Sequence, residues 1–192
     1  MSQLVPVQPL SVFFRTLLDE ALAKARVEVG ELTEAYLANL LVEFTAADRL
    51  FRDEGAEEPL AVLYFRAMHE EGAARIHTLR RMGDVSLYKS GFFAGALHKS
   101  AVGPEYYIHM GGAAYGQVAD LAPGGFSSVY GELGRKFRAL ARVLEAIAAR
   151  GLVRSPTGMV KVYDAFKQRG GEALEAVLAE AGLLPPRGGL PN

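Results

Sequence analysis

Residues 83–122 read GDVSLYKSGFFAGALHKSAVGPEYYIHMGGAAYGQVADLA, and the prediction of the fold starts from them. It contains two segments of helical periodicity, and each segment carries two glycines four residues apart. The pairs are Gly91 with Gly95 and Gly112 with Gly116. A glycine inside a helix costs roughly 0.5–1 kcal/mol relative to alanine. We therefore expect these four positions to serve either close contact between the two helices or a ligand that rests on bare backbone.

The sequence on both sides of this stretch also has helical periodicity, and no alternating strand pattern competes with it. We predict an all-α protein: a single bundle of seven or eight helices around a central, glycine-rich antiparallel hairpin. The hairpin consists of helices at about 85–100 and 105–121, joined by a short connection. Gly83 and Asp84 are expected to end the helix before it and to cap its first helix.

The predicted domain boundaries follow from the periodic segments. The helical domain is expected at 11–184, after an N-terminal extension at 1–10 and before a mobile C-terminal tail at 185–192. A long uninterrupted helix is predicted at about 127–150.

A shorter helix is expected to begin at Pro59, since proline suits the first turn of a helix. Its apolar positions share one face, which we expect to be buried: Leu60, Leu63, Tyr64, Ala67 and Met68.

Composition excludes several classes of protein. Of the 192 residues 50% are hydrophobic and 22% are charged, which is typical of folded chains. There is no cysteine, so disulfides, thiolate metal sites and cysteine catalysis are excluded. The N-terminus lacks the pattern of a secretory signal, and no run approaches the roughly 20 apolar residues that span a bilayer. We expect a cytoplasmic protein without a membrane span.

The net charge of −1 hides an asymmetry between two parts of the chain. Residues 11–71 contain thirteen acidic and six basic residues, whereas residues 72–192 contain nine acidic and fifteen basic ones. This pattern favours attraction within the fold or across a dimer, because neither part has a polybasic run. A basic surface for an anionic partner is the alternative. Nucleic-acid binding is disfavoured, since the chain lacks both a high positive charge and a recognisable reading motif.

A ligand pocket is the second interpretation of the glycine-rich hairpin. Aromatic side chains around bare backbone provide apolar area with hydroxyl groups, and nearby cationic groups suit an anion. The candidate ligand-binding residues are Arg80, Arg81, Asp84, Tyr88, Lys89, Gly91, Phe92, Gly95, Tyr106, Tyr107, His109, Gly112, Tyr115 and Gly116.

The sequence predicts neither a metal nor a cofactor. Glu105 and His109 share a helix face, but the two Glu-x-x-His motifs of a dinuclear site are missing. His98 and His109 flank the hairpin turn, so a haem between them is an alternative. Nucleophile elbows and phosphate-binding loops are absent, and the catalytic residues of an enzyme would be unknown. The polar residues best placed for catalysis are Asp84, Tyr106, Tyr107 and His109.

The leading hypothesis is a non-enzymatic cytosolic binding or regulatory module that acts through protein–protein contacts, with a homodimer as one form. The charge asymmetry and the lack of catalytic motifs favour it. The alternative is a small-molecule-binding protein or an enzyme, with its site for an apolar or anionic ligand in the hairpin 83–122.

Overall fold

The computed structural model describes residues 10–51, 58–98, 100–152, 162–167 and 170–182. Within these ranges the chain forms ten helical segments and no strand, so the predicted all-α class is confirmed. The segments are α1 (Leu10–Ala25), α2 (Glu31–Phe51), α3 (Leu60–His69), α4 (Gly72–Phe92), α5 (Ala94–Leu97), α6 (Pro104–Leu121), α7 (Phe126–Arg135), α8 (Phe137–Leu152), α9 (162–167) and α10 (Glu172–Glu180).

Helices α4 and α6 form the largest helix–helix contact among the described residues. They run antiparallel: Gly83 of α4 faces Tyr115 of α6, and six residues later Lys89 lies 5.6 Å from the ring centre of Tyr107. Helix α7 also packs against α6, and α8 packs against α4. The two helices of stretch 83–122 are therefore neighbours, with α7 and α8 alongside them.

The predicted helix boundary at Gly83 and Asp84 is wrong, because α4 continues through both residues. Gly83 is buried against the ring of Tyr115 and does not end a helix. The Asp84 carboxylate accepts side-chain hydrogen bonds from other helices and does not cap α4. The predicted helix 85–100 is also interrupted, since α4 ends at Phe92 and the short α5 follows.

The long helix predicted at 127–150 is divided into α7 and α8 at Lys136, whose backbone has φ −97° and ψ 9°. The α8 chain then begins with Phe137, which packs into the space left by Gly111 of α6. This division, together with the separation of the short α5 from α4, raises the number of helices above the seven or eight expected.

The buried apolar residues form two clusters. The main one joins α1–α4 with α6–α8 and includes the fully buried Leu18, Leu41, Leu87, Leu133 and Leu144. The smaller one lies where α8 meets α9 and α10, around Leu174 and Leu178.

The connection between α1 and α2 is attached to α7 by one carboxylate. Glu132 accepts a hydrogen bond of 2.9 Å from the backbone N–H of Gly30 and one of 2.9 Å from Lys136. Partial burial raises the pKa of Glu132, but hydrogen bonds from Thr33, Lys136 and Gly30 outweigh it and lower the pKa to about 2. Glu132 is therefore ionised throughout the physiological range and holds this connection in place.

Two predicted segments, the extension at 1–10 and the tail at 185–192, lie outside the described residues, apart from Leu10 at the start of α1. The domain limits 11–184 accordingly stay a prediction.

Candidate functional site

A buried carboxyl group is the polar centre of the main core. Asp84 lies in the middle of α4, and its side chain is 14% exposed. Tyr36 of α2 and Tyr115 of α6 each donate a hydroxyl hydrogen bond to its Oδ1, at 2.5 Å and 2.7 Å. Arg80, one turn earlier on α4, places its Nε 3.9 Å from Oδ2. Three helices are thus joined through one carboxylate.

Tyr36 and Tyr115, which bond this carboxylate, pack together with a third tyrosine ring. The ring centres of Tyr36 and Tyr115 are 6.4 Å apart, and the Tyr130 ring of α7 lies 5.5 Å from Tyr36 and 5.9 Å from Tyr115. Tyr115 is fully buried. Its ring fits only because residue 83 is glycine: a Cβ at this position would lie 2.5 Å from Cε1 of Tyr115.

Burial governs the titration of this cluster. Desolvation raises the pKa of Asp84 to about 6, although hydrogen bonds from Tyr36 and Tyr115 and the charge of Arg80 act in the opposite direction. Burial and the neighbouring carboxylate raise the pKa values of Tyr36 and Tyr115 above the ordinary tyrosine range. Both phenols therefore stay protonated and act as hydrogen-bond donors. Only Asp84 can change its charge near neutral pH.

The four glycines singled out by their spacing do not form one seam between two helices. Gly91 faces α8, where a Cβ would lie 2.5 Å from Cβ of Leu144. A Cβ at Gly112 would be 3.6 Å from the carbonyl oxygen of Gly134 in α7. Gly95 and Gly116 have no atom within 4 Å of the corresponding position. The prediction of a single glycine seam is therefore wrong.

Close contact between α4 and α6 depends on glycines outside that set. A Cβ at Gly111 would lie 2.4 Å from Cζ of Phe137 and 2.5 Å from Cβ of Ser86. Gly83 is equally crowded by Tyr115. The spacing rule missed both residues because Gly83 was assigned to a helix end and Gly111 stands next to Gly112. Their large aromatic neighbours come from distant positions in the chain.

The other candidate ligand-binding residues lie in several places. Tyr88 stacks on Phe92 and on Phe44 of α2, with ring centres 5.0 Å and 4.2 Å apart. Tyr106 and Tyr107 contact each other at 5.5 Å near the start of α6.

Three charged candidates lie apart from these aromatic rings. Arg80 adjoins Asp84, Arg81 is exposed, and His109 is exposed close enough to Glu105 to lower its pKa, after the larger effects of Arg138. The structure therefore does not bring the candidates together in one site; the main groups are the Asp84 cluster, the Tyr88 stack and the exposed residues of α6. Their role in ligand binding stays a prediction.

A cavity of about 680 Å³ lies beside the connection from α4 through α5 to α6. Its walls come from the ends of α1, α4 and α5, the starts of α6 and α10, and one side of α8. The fourteen candidates from the sequence are not among its lining residues. The charged lining residues are Glu105, Arg138, Arg142, Glu145 and Glu172.

Helix α3 is apolar on both sides. Its inner face is buried against α4 through Leu60, Leu63 and Ala67. Its outer face, named here the outer α3 face, exposes four large apolar side chains: Val62 (46% exposed), Tyr64 (39%), Phe65 (66%) and Met68 (51%). The expected burial of Tyr64 and Met68 is therefore wrong, since α3 packs through a narrower face.

Within the described ranges, no group of three or more histidine, aspartate and glutamate side chains is placed to hold a metal ion. Among the helices described, none combines the length and apolar character that a membrane crossing requires. Comparison with known proteins finds no matching family model, no matching curated protein and no matching solved structure.

Proposed function

We propose that this chain is a cytosolic, non-enzymatic module that acts through protein–protein contact, and that it forms a homodimer through the outer α3 face. The supporting observation is the exposure of four large apolar side chains on a helix whose other side is already buried. A helix that is apolar all round is normally buried on every side. Large contiguous apolar patches on soluble proteins mark interaction surfaces.

The composition of the outer α3 face favours a second copy as the partner. A two-fold contact places the same residues of both copies opposite each other, so like charges there would oppose it. Val62, Tyr64, Phe65 and Met68 are all uncharged, and α3 also exposes Arg66 and His69. The charge of Arg66 is balanced by ion pairs with Glu58 at 3.2 Å and Glu70 at 3.6 Å. The apolar part of the surface is therefore compatible with a second copy of itself.

The size of the contact sets its strength. Helix α3 has ten residues, so two copies packed along it bury less area than a permanent dimer requires. We expect reversible association with a dissociation constant on the order of 1–100 μM. A contact of this strength suits a regulatory module, because small changes in concentration change the dimer fraction.

Sedimentation velocity across a concentration series tests the proposal. The wild-type chain should shift from the 20.7 kDa monomer towards twice that mass as its concentration rises. Phe65→Glu should raise the dissociation constant at least about tenfold, because the interface would bury an unpaired charge. Phe65 is two-thirds exposed, so the monomer fold should be unaffected.

The matched control is Phe126→Glu, since Phe126 at the start of α7 has the same exposed fraction, 66%. This variant should associate like the wild type. A monomer at every concentration, or equal effects of the two substitutions, would argue against a dimer through α3.

A further inference from the structure

Helix α10 is attached to the rest of the protein by a small apolar contact. Its buried side chains, Leu174, Val177 and Leu178, belong to the smaller cluster and not to the main core. Helix α10 packs on α8 and α1, and a void remains between the three helices. The apolar lining of this void consists mainly of alanines: Ala21, Ala25, Ala146 and Ala176. Because alanine buries little apolar area, this contact holds α10 less firmly than the leucine-rich main core holds its helices.

The charged part of the contact depends on Glu180 at the end of α10. Its carboxylate forms an ion pair with Lys24 of α1 and lies 3.6 Å from a guanidinium nitrogen of Arg150 in α8. Arg150 also pairs with Glu20 of α1, at 3.0 Å. Arg150 therefore keeps a partner on α1 when Glu180 moves away, so this ion pair between α1 and α8 does not require α10.

Two consecutive glycines precede α10. Gly170 and Gly171 have φ values of 63° and 113°, in the region that side chains disfavour. Both glycines line the cavity beside the connection from α4 to α6, together with Leu174 of α10. A change in backbone angles at this glycine pair would move α10 relative to α8 and remove part of the cavity wall.

We propose that α10 is a detachable helix, which leaves the surface of α1 and α8 while the main core stays folded, and that the ion pairs of Glu180 hold it in place. Elements with few buried apolar contacts open locally at lower free energy than the whole fold. Opening exposes the apolar face of α10 and the alanine surface beneath it, and it widens access to the cavity. Helix α10 is separate from the outer α3 face, so this device does not depend on the dimer.

Labelling of introduced thiols measures the opening directly, because the natural chain has no cysteine. Ala146→Cys places a thiol on α8 at the void beneath α10. Ala38→Cys is the matched control in the main core, since Ala146 and Ala38 are 6% and 5% exposed. With the full chain and the thiol reagent DTNB at neutral pH, Ala146→Cys should react at least about tenfold faster, because it requires only local opening. Equal rates at the two positions would overturn the proposal.

A second substitution tests the ion pairs. In the Ala146→Cys chain, Glu180→Gln should raise the labelling rate at least about threefold, because it removes the charged contacts of α10. The control Glu31→Gln removes an exposed carboxylate at the start of α2 and should leave the rate unchanged. Circular dichroism checks the fold, and Val177→Cys reports from α10 itself if Ala146→Cys perturbs the contact. An unchanged rate with Glu180→Gln, or equal effects of the two glutamine substitutions, would overturn the role of Glu180.

Discussion

Among single residues, Asp84 shows how the surroundings of a buried carboxyl group determine its pKa. A carboxylate removed from water has a large desolvation cost unless hydrogen bonds replace its hydration. Two tyrosine hydroxyls do so here at 2.5 Å and 2.7 Å, and Arg80 lies 3.9 Å away. The compensation is incomplete, because the pKa of Asp84 still rises from 3.8 to about 6.

This shift predicts how stability depends on pH. Between about pH 4 and pH 6 the folded chain keeps a proton on Asp84 that the unfolded chain has lost, so the free energy of unfolding falls as the pH rises. The full effect is about 3 kcal/mol. Asp84→Asn cannot ionise but still accepts hydrogen bonds from Tyr36 and Tyr115. Urea denaturation from pH 4 to 7.5 should therefore show a flatter profile for this variant and greater stability at pH 7.

Asp120→Asn provides the control, because Asp120 is an exposed aspartate on α6. Its pH profile should follow that of the wild type. A parallel loss of stability by Asp84→Asn and the wild type as the pH rises would contradict this role of Asp84.

Substitution by alanine should change the free energy of unfolding in opposite directions at two glycines of α6. Gly111→Ala should lower the free energy of unfolding by about 1–3 kcal/mol, because its Cβ would overlap Phe137 and Ser86. Gly116→Ala, five residues later on α6, meets no atom within 4 Å. It should raise the free energy of unfolding by about 0.5–1 kcal/mol through helix propensity alone. Thermal and urea denaturation at one pH measure both effects, and equal signs would contradict this assignment of the close contacts.

At the scale of helices, periodicity predicted most segments, because an apolar stripe is a local property of the sequence. The boundaries failed where a residue serves a distant partner. Gly83 and Asp84 resemble a helix end and a cap, yet both face residues of other helices. The helix is interrupted at Lys136 without a proline nearby, and the local sequence pattern did not predict this interruption.

In helix α3, too, local periodicity predicted the helix but not its contacts. Its apolar positions predicted burial, and five of them were expected to share one buried face. Tyr64 and Met68 are instead exposed, because the buried face of α3 is narrower and consists of Leu60, Leu63 and Ala67. The excess of apolar residues on this helix is visible in the sequence. Which of its faces stays exposed depends on how the other helices pack, and the sequence of α3 alone does not show that.

At the scale of the whole molecule, the cavity could not be predicted from the sequence. Its walls come from the ends of helices that are far apart in the chain, and each contributes only one to five residues. The charge asymmetry was visible, and contacts such as Glu20 with Arg150 at 3.0 Å show part of it satisfied within the fold.

Cross-linking through one introduced cysteine tests the proposed dimer most directly, because the natural chain has none. Ala61→Cys lies one turn from Tyr64 and Phe65 on the exposed side of α3, and Ala113→Cys lies on the exposed side of α6. A short bis-maleimide should convert the Ala61→Cys protein into a covalent species of twice 20.7 kDa, and leave the Ala113→Cys protein monomeric. Equal yields at the two positions, or no covalent dimer at Ala61→Cys, would contradict the account.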